Sequence, residues 1–75
     1  MLNIATLKKG EKGTIQDFDI EQIPLKLIEM GCLPGNEVEI VQEAPFQDPL
    51  YIKINDSFVA IRKETAEKII IVKSN

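Results

Sequence analysis

Apolar positions along this chain change from alternate spacing to helical spacing and back. The helical stretch is Leu25-Lys26-Leu27-Ile28-Glu29-Met30-Gly31. Leu27, Ile28 and Met30 are apolar, with Lys26 and Glu29 set between them, the spacing of a short helix that buries one stripe. Pro24 stands where a proline opens a helix without losing a useful N–H. Gly31 is the expected helix end, because glycine takes the left-handed C′ conformation without a Cβ clash. Leu33 is expected to drop back toward the core. Pro34-Gly35 is expected to form a turn, with proline second and a positive-φ glycine third. A helix of two turns does not stand alone in water, so it must lie on something built from strands.

The rest of the chain supplies those strands. Ile4 and Leu7 are expected anchors before a turn at Lys9-Gly10-Glu11. Lys12 to Phe18 reads as a half-exposed strand, since Thr14 and Asp17 break its apolar pattern. Asp17 to Gln22 is acidic and irregular and reads as a loop. Asn36 to Glu43 has period two, with Val38 and Ile40 on one face and Glu37, Glu39 and Val41 on the other. Ala44 to Pro49, with two prolines, is a connection. In Leu50 to Ile54, Leu50, Ile52 and Ile54 point inward and Tyr51 and Lys53 outward. Asn55-Asp56 tolerates positive φ and marks a two-residue hairpin turn. The return strand runs from Ser57 to Arg62, with Val59 and Ile61 inward. Lys63 to Lys68 is a single helical turn, Ile69 to Val72 a closing strand, and Lys73-Ser74-Asn75 a polar tail. Five short strands cannot form two packed sheets, but they can close into a small barrel, which protects most edges. The expected fold is all-β, with a short helix after the first strand and a one-turn helix before the last.

The totals narrow the class. At 75 residues with 44 % apolar content, the chain makes one domain, residues 1–75, with one core. A chain of this size buries about 60–65 % of its unfolded surface, so its stability is modest. It has no apolar run long enough to span a membrane, and Met1 to Leu7 lacks the basic start of a signal peptide. Its single cysteine, Cys32, cannot form an internal disulfide, which points to a reducing compartment and hence the cytoplasm. Twelve acidic and nine basic residues give a net charge of −3. The densest basic spot, Lys8-Lys9 with Lys12, is interrupted by Glu11, so nucleic acid is not the expected main partner.

Candidate chemistry is sparse. Histidine, the commonest general base near neutral pH, is absent, and the four glycines form no phosphate loop. Asp17 and Asp19 are the nearest thing to an acid–base pair, and two solvated loop carboxylates explain them better. One cysteine without histidine cannot close a site for a borderline metal. An oxygen-only set from Asp17, Asp19 and Glu21 would be weak and unselective. Cys32 is expected to be a small buried hydrophobe. No catalytic, cofactor or metal residue is therefore assigned. Two surfaces could serve a partner. Ile70 and Val72 lie opposite Ile69 and Ile71, and with Phe58 they could form an exposed apolar patch, unless the helix or the N-terminal segment covers them. Alternatively, the helix and the Pro45–Pro49 loop could present Lys26, Glu29, Phe46 and Asp48, a set equally consistent with an ordinary solvated face. Recognition of proline-rich peptides is not expected, because the chain has no tryptophan, one tyrosine and three phenylalanines.

Several segments read together: Leu7-x-x-Gly10 with Gly13-Thr14-Ile15, Leu27-Ile28-Glu29-Met30-Gly31-x-x-Pro34-Gly35, Val38-Glu39-Ile40, Ala44-Pro45 with Asp48-Pro49, and Ala60 to Ala66 before Ile69-x-Ile71. Over nearly the whole chain, this combination resembles the FeoA family of bacterial ferrous-iron uptake. The resemblance implies a five-stranded SH3-like barrel and a partner, the membrane ferrous-iron transporter FeoB with its cytoplasmic GTP-binding region. No direct membrane insertion by this chain is expected, and a homo-oligomer stays open. Three positions depart from the family: Leu25-Lys26 where arginines are common, and Gln47 and Asn55-Asp56 where glycine is frequent. Lysine keeps the charge but loses the bidentate fork. Two rival functions stand beside the accessory role. One is a metal-responsive module like the C-terminal barrel of iron-dependent repressors; no helix pair for DNA precedes the barrel, so it would need a separate DNA-binding subunit. The other is an RNA-associated barrel, which the acidic balance opposes.

Overall fold

The alternating segments pair as their patterns require. A computed structural model describes residues 2–74, apart from the side chain at position 47. Met1 and Asn75, at the ends of the expected N-terminal segment and tail, and the Gln47 side chain lie outside the described residues. The strands are β1 (Lys12–Asp17), β2 (Glu37–Glu43), β3 (Leu50–Ile54), β4 (Ser57–Ile61) and β5 (Ile70–Lys73). They form one sheet in the order β4-β3-β2-β1-β5, each pair antiparallel. Helix α1 (Leu25–Glu29) follows β1, and the single-turn α2 (Lys63–Ala66) precedes β5. Short 3-10 turns occupy Ile4–Thr6 and Ile20–Gln22, the latter within the acidic loop, and Pro45–Gln47 of the proline-rich connection forms a turn kinked at Phe46.

The inward faces make the core. Val38 and Ile40 of β2 meet Ile52 and Ile54 of β3 across the ladder, and all four are fully buried. Ile4, Ile15, Ile69 and Ile71 join them in the interior. Residue Val41 of β2 is a bulge, since Ile40 pairs with Ile52 but Gln42 pairs with Tyr51; a second irregularity lies between Ile15 and Asp17 of β1. Such insertions bend strands and increase twist, and here they help curl a single sheet into a barrel. On the outer face Lys12 pairs with Glu39, Glu39 with Lys53, and Lys53 with Phe58. The Lys53 ammonium lies 5.8 Å from the Phe58 ring centroid, a cation–π distance.

The turns follow their residues. Asn55 and Asp56 both have positive φ, 49° and 64°, as the two-residue hairpin turn demands. Asn36 N–H donates to Leu33 O at 3.1 Å across the Pro34-Gly35 turn, and Gly35 has φ 96°. That same turn holds Leu33 at the surface, 43 % exposed, instead of returning it to the core. Ile23, just before Pro24, takes an interior place. The tail expected from Lys73 is shorter: Lys73 belongs to β5, its ammonium contacts Glu11 Oε2 at 2.6 Å, and Ser74 N–H donates to Lys12 O at 2.9 Å. The Lys73 hydrogen bond, helped by the Lys8 backbone N–H, holds the Glu11 carboxyl below its ordinary pKa.

Gly31 is the hinge between α1 and the sheet. Its φ is 108°, and a Cβ there would fall on the Asn55 side-chain amide and within 3.3 Å of Ile54 Cγ2. Its carbonyl accepts from Asn36 Nδ2 at 2.7 Å. Gly31→Ala should destabilise by about 1–2 kcal/mol or more through the positive φ and this crowding, read as a lower urea midpoint. Ile52→Ala should cost about 2–5 kcal/mol from a cavity in the core; a loss below about 0.5 kcal/mol would reverse the assigned faces of β3.

Candidate functional site

Proline opens α1 and glycine closes it, so this five-residue helix stays short and lies near the last hairpin. Between α1, β4 and the start of α2 the surface dips into a groove of about 200 Å³. Leu27 of α1 and Val59 and Ile61 of β4 line it, and all three are buried or half-buried. Ala60 and Thr65 add small side chains. The charged residues that line the groove are Lys26 and Arg62, both exposed and both cationic, in a chain whose net charge is −3. Arg62 Nε also meets Asp48 Oδ1 at 3.3 Å, and the same carboxylate oxygen accepts from Lys63 N–H at 3.1 Å. Asp48 thus ties the proline-rich connection to the start of α2. With Arg62 73 % exposed, the ion pair itself is worth at most about 1 kcal/mol and yields readily to another carboxylate.

The seven residues singled out from sequence are dispersed. Lys26 lines the groove, and Asp48 reaches it through Arg62. Glu29 and Phe46 are exposed but do not line it; Phe46 is 97 % exposed with φ 67°. Phe58, Ile70 and Val72 do not form one patch. Phe58 is on β4 and Val72 on β5, the two ends of the strand order. Along the sheet, β3, β2 and β1 lie between them. Polar side chains, including Lys53, Glu39 and Lys12, occupy the space between. Val72 is 53 % exposed, whereas Ile70 is half-buried and bridges to Asn3.

Val59 and Ile61 are legible in the sequence as inward residues, but their place in a groove depends on where α1 docks. Arg62 and Thr65 carry no sequence signal of their own; they matter because α2 starts beside α1.

The remaining candidates have local duties. Asp17 Oδ1 accepts from Phe18 N–H at 2.9 Å, and Asp19 Oδ1 from Glu21 N–H at 3.0 Å, which caps the Ile20–Gln22 turn. Among the described residues no three His, Cys, Asp or Glu side chains gather to hold a metal. Cys32 is fully buried, and desolvation pushes its thiol up to about 11. No helix of the described residues is long and apolar enough to cross a membrane.

Fold and surface together define a small SH3-like barrel with a basic-rimmed apolar groove and no assembled catalytic constellation among the described residues. The chain belongs to the FeoA domain family, whose model matches residues 2–73. It is 43 % identical over 69 residues to a Porphyromonas gingivalis Fe(2+) transport protein A/Fe(2+) transporter FeoB fusion protein, covering 91 % of this chain and 8 % of that relative. It therefore spans a small part of that relative's length. The solution structure of iron(II) transport protein A from Clostridium thermocellum superposes with a TM-score of 0.82 at 32 % identity, over 96 % of this chain and 45 % of that one. A zinc-complexed FeoA from Stenotrophomonas maltophilia, described as a prokaryotic SH3 domain protein, gives 0.80 at 20 % identity, over 95 % and 89 %, and shares the fold.

A buried thiol with a raised pKa reacts slowly. Below about pH 11 the Cys32 thiolate is the minor form in the folded chain. Alkylation at pH 8 should track the unfolded fraction and rise with urea, as followed by mass spectrometry. Rapid labelling of the native chain would place Cys32 at the surface.

Proposed function

We propose that this chain is a non-enzymatic cytoplasmic accessory protein of ferrous-iron transport, which docks on the cytoplasmic part of an FeoB-type transporter and modulates it. The groove between α1 and β4 is the docking site in this reading. Its apolar wall and exposed cationic rim are the single observation that carries it, because apolar pockets ringed by polar groups concentrate binding energy in a few anchor side chains. The Porphyromonas gingivalis relative supports the choice of partner: there a transport protein A and a FeoB transporter are one polypeptide. Fusion makes such docking intramolecular and raises its effective concentration. A separate chain must achieve the same contact through surface affinity.

No bond need be made or broken in this mechanism. The chain alters the transporter by binding one of its conformations more tightly than another, and the shift is limited to that difference in affinity. The cytoplasmic GTP-binding region is the part of the transporter assigned to this contact, and its nucleotide state is the natural variable.

Calorimetry with the cytoplasmic region of a transporter from the same source tests this, with and without nucleotide and with ferrous ion as a separate titrant. Saturable binding to the region is expected. Thr65→Arg, which fills the groove with a bulky cation, should weaken it about tenfold or more, a loss of the size expected when a packed anchor is excluded. Val72→Ser, on β5 at the other end of the strand order, should leave it unchanged. Stoichiometric ferrous binding without binding to the transporter region would favour a metal-responsive module, and a salt-dependent shift with RNA an RNA-associated one.

A further inference from the structure

The two ends of the strand order are not equivalent. At one end the N-terminal segment lies along β5: Ile71 N–H donates to Leu2 O at 3.0 Å, Ile4 N–H to Ile69 O at 3.1 Å, and Asn3 bridges to Ile70. At the other end β4 has β3 as its one strand neighbour among the described residues. The hairpin fixes which groups β4 leaves open. Ile54 and Ser57 flank the two-residue turn and form the closing hydrogen-bonded pair, and such pairs alternate along an antiparallel ladder. Val59 and Ile61 then bond toward β3, while Phe58 and Ala60 turn N–H and C=O to the open side. No other backbone or side-chain hydrogen bond among the described residues uses those groups. The groove begins at this open edge, with Val59, Ala60 and Ile61 forming one of its walls.

We propose that an extended segment of the transporter's cytoplasmic polypeptide adds to β4 as a sixth strand, pairing its backbone with Phe58 and Ala60, setting an apolar side chain into the groove and placing carboxylates on Lys26 and Arg62. This rests on the accessory reading above and specifies how the contact is made. Strand addition supplies main-chain hydrogen bonds for affinity, while alternate side chains supply specificity. Charge chooses the occupant. Lys26 and Arg62 are the charged residues that line the groove, so an acidic segment meets complementary charge. A second copy of this chain, pairing β4 to β4, would bring two such cationic rims toward each other. The Asp48–Arg62 pair is exposed enough to exchange one carboxylate for another.

The test uses the isotope-labelled chain with the transporter's cytoplasmic region and with short synthetic peptides tiling that region. Amide exchange is read residue by residue. At saturation the Phe58 and Ala60 amides should exchange slower by a factor of about ten or more, and the tightest peptides should carry Asp or Glu beside an apolar residue. Ala60→Pro removes a donor from the open edge and spares the β3 ladder; it should lower affinity about tenfold. Lys26→Glu should weaken binding and flatten its dependence on salt. If that proline variant fails to fold, the exchange measurement on the unaltered chain still decides. Binding with Phe58 and Ala60 exchanging at their free rates overturns strand addition and leaves the accessory reading standing. Absence of binding to the whole cytoplasmic region overturns both.

Discussion

The close approach of Gly31 to the β3–β4 turn is the constraint on which the surface depends. A residue with a side chain there would collide with Asn55 and be strained by a φ of 108°. With glycine, α1 ends abruptly, the Gly31 carbonyl accepts from the Asn36 side chain, and the helix lies beside the hairpin. The distance between α1 and β4, and hence the groove, follows from that contact. The barrel beneath is held by a different force, the burial of isoleucines on the inner faces of its strands. The core gives the molecule its stability, and Gly31 determines where the helix rests on it.

That division explains what an unaccompanied sequence reveals. The inward residues of β2 and β3 are legible because strand side chains alternate with period two, and each of Val38, Ile40, Leu50, Ile52 and Ile54 is interior. The Asn55-Asp56 and Pro34-Gly35 turns are legible because few residue types accept positive φ. The β2 bulge is not, because a bulge is a property of two strands in register and Val41 looks like any other strand residue. Leu33 is misread for a related reason: hydrophobicity favours burial, but the turn that begins at Leu33 fixes its direction first. The pairing of Leu2 to Ile4 with β5 joins opposite ends of the chain, and no local pattern encodes it.

The site was legible only in fragments. Lys26 and Asp48 stand out as charged residues beside a helix and in a proline-rich connection. That both lead to Arg62, one by lining the same groove and the other by an ion pair, is a fact of tertiary structure. Phe58 and Val72 look alike in sequence, as apolar residues on outward strand positions. Strand order separates them and leaves Phe58 beside an open edge, whereas the N-terminal segment lies along the edge of β5. The family resemblance, carried by turn and helix-end residues dispersed over the chain, gave the architecture and a candidate partner together. It did not indicate which surface is free, because the residues that define the family here mostly shape the backbone.

The most direct measurement is a methyl spectrum of the isotope-labelled chain during titration with the transporter's cytoplasmic region. Leu27, Val59 and Ile61 carry methyl groups into the groove, and Val72 carries exposed ones on β5. Perturbation centred on Leu27, Val59 and Ile61, with Val72 unmoved, is the predicted result. Perturbation centred on Val72 and Ile70, with the groove methyls silent, would contradict the account and move the docking surface to β5.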